Sequence, residues 1–158
     1  ILAKEERALD GYLKVNNVKI QGVPILAELL NAVSIIGLID LLSGPGISFN
    51  EIESKFRISE EELIIKRVSA FGPSMGITLD GYYNLHNETF DMQGTISPLY
   101  LINSVGSVLS QKGEGLLGFS FILTGKTDNF DLNVNPLSVF TPAIFRDIFR
   151  RPPPTYEE

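Results

Sequence analysis

GFSFILTGKTDNFDLNVNPLSVFTP, residues 118–142, is the stretch that decides the fold. Apolar and polar residues alternate on both sides of a polar turn, KTDN, at 126–129. Alternation with period two is typical of a strand that buries one face, and two such runs around a short turn predict an antiparallel hairpin over 117–134. The predicted inward side chains include Phe119, Phe121, Leu123, Phe130, Leu132 and Val134.

The same alternation recurs through the rest of the chain. A first strand is predicted over 7–20, with a bulge or turn at Asn16-Asn17, where the apolar residues change parity. Turn sequences SEEE, GPS and HNE separate four further apolar runs. These runs predict a meander with strands over 47–57, 62–71, 75–85 and 89–97.

Proline-led apolar segments predict helices. Pro24 suits a first helical turn, and apolar residues continue to Leu42 before Gly44-Pro45-Gly46 ends the segment. A second helix is predicted over 98–110, with Ser97 as its cap, and short helical segments are predicted after residues 135 and 141. The expected fold class is α+β, mainly β. It is a curved antiparallel sheet, a partial barrel or groove of about six to eight strands, covered by two or three apolar helices.

Length and composition fit one domain. The chain has 158 residues, of which 44% are hydrophobic, and we expect a single domain over 1–151 with a disordered tail over 152–158. The formal net charge of -6 disfavours a nucleic-acid partner. The chain contains no cysteine, which excludes disulfides and thiolate metal sites.

Residues that could carry catalysis are few. His86 is the only histidine and falls in a predicted turn, where a solvated side chain is the ordinary outcome. Asp80, Asp91 and Asp131 fall on the outward parity of their strands, where carboxylates are ordinarily solvated. No nucleophile triad, zinc spacing or cofactor fingerprint is present. We therefore expect a protein that is not an enzyme and has neither metal nor cofactor.

Two segments raise the question of membrane contact. The apolar stretch over 24–42 contains Glu28 and Asp40, so we expect a cover for the sheet and not a membrane span. The segment TPAIFRDIFRR, residues 141–151, predicts a short helix with an apolar stripe beside arginines. Its candidates for membrane contact are Phe145, Phe149, Arg146 and Arg150. Docking of the same stripe onto the sheet is the alternative.

Several of these stretches resemble a known family. LDGYYNLHNETFDMQGTISPLYLIN at 79–103, GFSFILTGKTDNFDLNVNPLSVFTPAIFRDIF at 118–149 and VPILAELLNAVSIIGLIDLLSGPGISFNEI at 23–52 resemble the C-terminal domain of large AsmA-like proteins, the group of YhdP and TamB relatives. The likeness is closest to alphaproteobacterial members and covers about residues 8–150. Its most specific element is VNPLS, at 134–138, followed by a TP step.

The resemblance implies a periplasmic module of a Gram-negative envelope protein anchored in the inner membrane. It implies a β-groove whose apolar side chains carry phospholipid acyl chains toward the outer membrane, with this segment as the end nearest the inner leaflet of that membrane. The residues themselves leave two readings of the apolar strand face open, a closed core and an open groove. A scaffold for outer-membrane proteins, acting by strand pairing, is the alternative function.

Overall fold

The structure, a computed structural model, describes residues 7–33, 43–98, 118–135, 138 and 151–152. Within these residues, seven strands form one antiparallel sheet in the order in which they occur along the chain. The strands are β1 (Leu9–Ile20), β2 (Ile47–Ile58), β3 (Glu62–Phe71), β4 (Met75–Asn84), β5 (Thr89–Pro98), β6 (Phe119–Lys126) and β7 (Asn129–Asn135). The prediction of a mainly β protein built on an antiparallel sheet of six to eight strands is confirmed.

The turns explain why the strand boundaries were predictable. The Ser59 hydroxyl oxygen accepts hydrogen bonds from the backbone N–H groups of Glu61 and Glu62, at 3.3 and 3.1 Å. The Asn84 side-chain oxygen accepts one from the backbone N–H of His86, at 3.0 Å. Serine and asparagine side chains form such local bonds in turns and thereby compete with extension of the strand. Each predicted strand boundary in this meander lies within one residue of the observed one.

One helix, α1 (Pro24–Ala32), lies in the connection between β1 and β2. Pro24 occupies its first turn, as predicted, because a proline there gives up a backbone N–H that has no partner within the helix. Leu26, Leu29 and Leu30 are its buried residues. The remainder of this predicted helix, 34–42, lies outside the described residues.

The predicted start of the second helix is wrong. Ser97 and Pro98 belong to β5, where Pro98 pairs with Met75, and they neither cap nor open a helix. A proline is tolerated at the end of a strand, so a Ser-Pro step after an apolar run fits a strand end as well as a helix start. Residues 99–110 lie outside the described part of the chain. The described residues hold one helix, and the two or three predicted helices are not supported.

Irregularities in the strands redirect their apolar residues. Asn17 in β1 has a left-handed backbone, with φ of 55°. Beyond it, Ile20 packs against a buried cluster that includes its cross-strand partner Ile47. β1 nevertheless continues to Ile20 in an unshifted register with β2, so the bulge or turn predicted at Asn16-Asn17 is not supported. In β3, a shift in register between Ile65 and Val68 adds a bulge. This bulge places Val68 and Ala70 on the same face of the sheet as Leu63 and Ile65 despite their different parity, whereas Ile64 lies on the opposite face.

Candidate functional site

One face of the sheet is apolar across all seven strands. Cross-strand partners line up in four rows. Within these rows, only Ser54 and Tyr83, which carry hydroxyl groups, and Met92, which carries a thioether, have side chains with polar atoms. We call this surface the apolar face. From β1 onward, its rows are Leu9, Ile58, Leu63, Tyr83, Phe90, Gly125 and Phe130; Gly11, Phe56, Ile65, Gly81, Met92, Leu123 and Leu132; Leu13, Ser54, Val68, Leu79, Gly94, Phe121 and Val134; and Val15, Ile52, Ala70, Ile77, Ile96 and Phe119.

The opposite face, which we call the polar face, is mostly polar or charged. One of its rows is Asp10, Arg57, Ile64, Tyr82, Asp91, Thr124 and Asp131, and another is Lys14, Glu53, Ser69, Thr78, Thr95, Ser120 and Asn135. Successive side chains of a strand point to opposite faces, so the alternation in the sequence separates the two surfaces. The sheet is therefore two-sided along its whole width.

The apolar face is buried at one end and exposed at the other. Phe121 on β6 is 6% exposed and Ile96 on β5 is fully buried. On β1, by contrast, Leu9 is 67% exposed and Leu13 is 50% exposed, and Phe56 on β2 is half-buried. We call Leu9, Gly11, Leu13, Val15, Phe56 and Ile58 the open end of the apolar face. Exposed large apolar side chains that lie next to one another mark binding surfaces more often than scattered ones do.

The buried end is covered by α1. Leu26, Leu29 and Leu30 form one cluster with strand residues that include Ile96 and Phe121. Ile25 packs against a second cluster, made of Phe90, Met92 and Leu123. The helix contacts β7, although it is inserted between β1 and β2 in the sequence. The helix, about 13 Å long, thus reaches the strands at the other edge of the sheet and leaves Leu9, Leu13 and Val15 of β1 exposed.

Two phenylalanines lie on glycines of the neighbouring strand. Phe56 is the cross-strand partner of Gly11, and a Cβ atom at Gly11 would collide with the Phe56 ring. Phe121 stands in the same relation to Gly94. At Gly94 a Cβ atom would also collide with the backbone carbonyl oxygen of Thr78. The two aromatic rings therefore occupy equivalent positions at the open and buried ends of the apolar face.

Ion pairs on the polar face hold β1 to β2. The Lys14 ammonium lies 2.7 Å from the carboxylates of Glu51 and Glu53, and these hydrogen bonds raise the pKa of Lys14. A hydrogen bond from Arg57, whose Nη2 lies 2.8 Å from Asp10 Oδ2, lowers the pKa of Asp10. The hydrogen bond with Lys14 likewise lowers the pKa of Glu53. Charges at this edge of the sheet are thus paired across the two strands.

The polar face also carries a hydrogen-bond network around the buried side chains of Asp80 and Gln93. Gln93 donates a 2.9 Å hydrogen bond to the Asp80 carboxylate, and its amide nitrogen also donates to the Arg151 backbone carbonyl at 2.9 Å. The Arg151 backbone N–H donates back to the Gln93 side-chain oxygen at 3.2 Å. Asp91 forms a 2.8 Å ion pair with the Arg151 guanidinium, and this bond raises the pKa of Arg151. The expectation that Asp80 is solvated is wrong, since its side chain points outward but is only 5% exposed.

The six predicted lining residues all lie on the apolar face. Phe121 and Leu123 are buried, and Phe119, Phe130, Leu132 and Val134 are half-buried beside the two clusters. The structure therefore brings these residues together at the buried end, next to α1. The four candidates for membrane contact, Phe145, Phe149, Arg146 and Arg150, lie outside the described residues.

The open end was missed as a candidate site. Leu9, Leu13 and Val15 carry the same alternation as the hairpin, and the sequence places them correctly on one face. Their exposure depends on where α1 packs, which is a long-range property. The position of their strand in the sequence could have indicated this exposed surface, because the first strand of a meander lies at an edge of the sheet.

Among residues 7–33, 43–98, 118–135, 138 and 151–152, no three acidic or histidine side chains are grouped as metal ligands. None of the helical residues described here forms a segment long and apolar enough to cross a bilayer. Comparisons of the chain with protein-family models, with curated proteins and with solved structures find no match.

Proposed function

We propose that this chain is a non-enzymatic lipid-binding module that holds phospholipid acyl chains on the apolar face of its sheet. The observation that carries the proposal is the open end, where Leu9 and Leu13 lie exposed and in line with the buried rows. A ligand that binds there meets apolar side chains on one side only and needs no polar recognition along its length. An acyl chain has this chemistry.

The size of the hydrophobic effect supports such a ligand. Each methylene removed from water contributes about 0.8 kcal/mol. About ten methylenes therefore contribute about 8 kcal/mol, the free energy of a micromolar complex before the cost of ordering the chain is subtracted. The apolar face spans six strand spacings, about 29 Å, so its width does not limit a chain of this length.

The resemblance of 118–149 to AsmA-like proteins supports the same function and extends it. On that basis the module is the outer-membrane-proximal end of a periplasmic bridge, anchored in the inner membrane, that moves phospholipid between the two membranes. The buried end under α1 forms the closed part of the groove, and the open end receives the acyl chains. A scaffold that pairs strands with outer-membrane proteins is the second candidate, because β1 is an exposed edge strand.

Native mass spectrometry of the purified chain with phospholipid tests the proposal. Leu13→Asp places a carboxylate on the apolar face at an exposed position, so the variant should stay folded and bind lipid at least about tenfold more weakly. Asn133→Asp is the control, because Asn133 is exposed and projects from the polar face of β7, at the other edge of the sheet. Its lipid binding should equal that of the parent chain.

Two results would contradict the proposal. One is a parent chain that binds no phospholipid, and the other is an equal loss of binding in the Leu13→Asp and Asn133→Asp variants. Recovery of a β-barrel outer-membrane protein with the parent chain, in place of lipid, would favour the scaffold function instead.

A further inference from the structure

Strand β1 offers one backbone edge that no described strand pairs with. Its other edge pairs with β2 along eleven residue pairs. Natural edge strands are usually short or carry proline, bulges or unpaired charges that prevent association. β1 has 12 residues, contains no proline and runs without irregularity from Leu9 to Asn16. Of its two lysines, Lys14 is bound to carboxylates of β2, and Lys19 lies beyond Asn17, outside this regular segment.

We infer that β1 pairs antiparallel with β1 of a second copy of this chain, with Tyr12 opposite Tyr12 of the copy. In this register Asp10 lies opposite Lys14, Leu9 opposite Val15 and Gly11 opposite Leu13. Unlike charges therefore meet on the polar face, and apolar residues meet on the apolar face. Two tyrosines at the centre add an aromatic cross-strand pair.

Neighbouring registers fit less well. Centring the pair on Gly11 or Leu13 keeps the two faces aligned but places Asp10 or Lys14, respectively, opposite Tyr12. A shift by a single residue in one strand places apolar side chains opposite polar ones. Only the register centred on Tyr12 aligns both faces, matches the charges and remains almost entirely within the regular segment before Asn17. The sequence of the edge is thus complementary to itself.

The pairing has two-fold symmetry, with the axis at Tyr12 and perpendicular to the sheet. Two-fold dimers are the commonest oligomers of soluble proteins, and their interfaces are self-complementary in this way. The result is one sheet of two times seven strands, in which the two open ends adjoin and the apolar face is continuous from one copy to the other. The inference concerns the backbone edge and does not depend on lipid binding.

Charge pairs at position 12 test the register. Tyr12→Lys or Tyr12→Glu alone places two like charges opposite each other, so each variant should dimerise at least about tenfold more weakly than the parent. An equimolar mixture of the two variants should recover the dimer, and native mass spectrometry should identify it as a heterodimer. Asn133→Lys is the control, since Asn133 lies exposed on β7, at the other edge of the sheet.

Sedimentation of the 158-residue chain over a range of concentrations gives the oligomeric state, and hydrogen exchange gives an independent readout that needs no variant. The amides of β1 in the parent should become more protected as the dimer forms. A parent that remains monomeric, a mixture that recovers no heterodimer, or equal weakening by Asn133→Lys would each overturn the inference.

Discussion

The two ends of the apolar face share strand alternation, antiparallel pairing and even an aromatic ring lying on a glycine, but they differ in what lies above them. Phe121 on Gly94 is buried beneath α1, whereas Phe56 on Gly11 lies beside exposed leucines. The comparison separates two properties that are often treated as one. Alternation specifies a sheet with an apolar face, and a separate element determines whether that face becomes a core.

The largest difference between the two ends should come from removing their aromatic rings. Phe121→Ala leaves a cavity beneath α1 and should lower the free energy of unfolding by about 3–5 kcal/mol. Phe56→Ala removes a half-buried ring and should cost about 1–2 kcal/mol. Urea denaturation followed by circular dichroism measures both values. Equal losses would mean that the two ends are packed alike.

Replacing the two glycines by alanine should give a smaller difference in stability between the two ends, in the same direction. Gly94→Ala forces a collision with the Thr78 backbone as well as the Phe121 ring, and should cost about 1–3 kcal/mol. At Gly11 the three atoms nearest to an added Cβ atom all belong to the half-exposed Phe56 ring, which can shift, so Gly11→Ala should cost less than about 1 kcal/mol. Thermal unfolding of the two variants makes the comparison, and a costlier Gly11→Ala would contradict it.

The polar face allows a parallel test. Gln93→Ala removes hydrogen bonds to Asp80 and to the Arg151 backbone in a buried setting, and should cost about 1–2 kcal/mol. Asn133→Ala, at an exposed position of β7, should stay within about 0.5 kcal/mol of the parent. Hydrogen exchange at the Arg151 amide should accelerate in the first variant only. Unchanged exchange there would show that other contacts hold Arg151 in place.

The smallest effect should be the dependence of the stability of the β1–β2 pairing on pH. The pKa values of Asp10 and Glu53 are lowered in the folded chain, so their contribution to stability is present above the ordinary pKa values of 3.8 and 4.5 and is lost as pH falls through the folded pKa values. Asp10 is exposed and Glu53 is partly exposed, so the pairing of β1 should weaken only slightly. Carboxyl NMR titration checks the pKa values, and Lys14→Met should raise that of Glu53 toward its ordinary value.

Local pattern was enough to predict the strands and their faces. Period-two alternation located each strand of the meander, and Ser59 and Asn84 ended strands through bonds to residues within three positions in the sequence. The Ser97-Pro98 step led to a wrong helix prediction, because the same dipeptide is compatible with the end of a strand and with the start of a helix.

Long-range packing was not predictable in this way. Asp80 lies on the outward parity and is nevertheless buried, within a network that Gln93 completes with a residue 58 positions away. The exposure of Leu13 depends similarly on where α1 docks, and nothing near Leu13 in the sequence records that position. The buried and open ends of the apolar face are consequently distinguished only in the folded chain.

The crossing of α1 to the far strands imposes an order of events on a newly made chain. Leu30 is synthesised about 90 residues before Phe121, its partner in the buried cluster. At a synthesis rate of about 5–20 residues per second, the interval between the synthesis of Leu30 and that of Phe121 is about 5–18 s. β1 and β2 can pair in that interval, but the helix has no completed surface on which to settle. The apolar residues of α1 therefore remain incompletely covered until the β6–β7 hairpin is made.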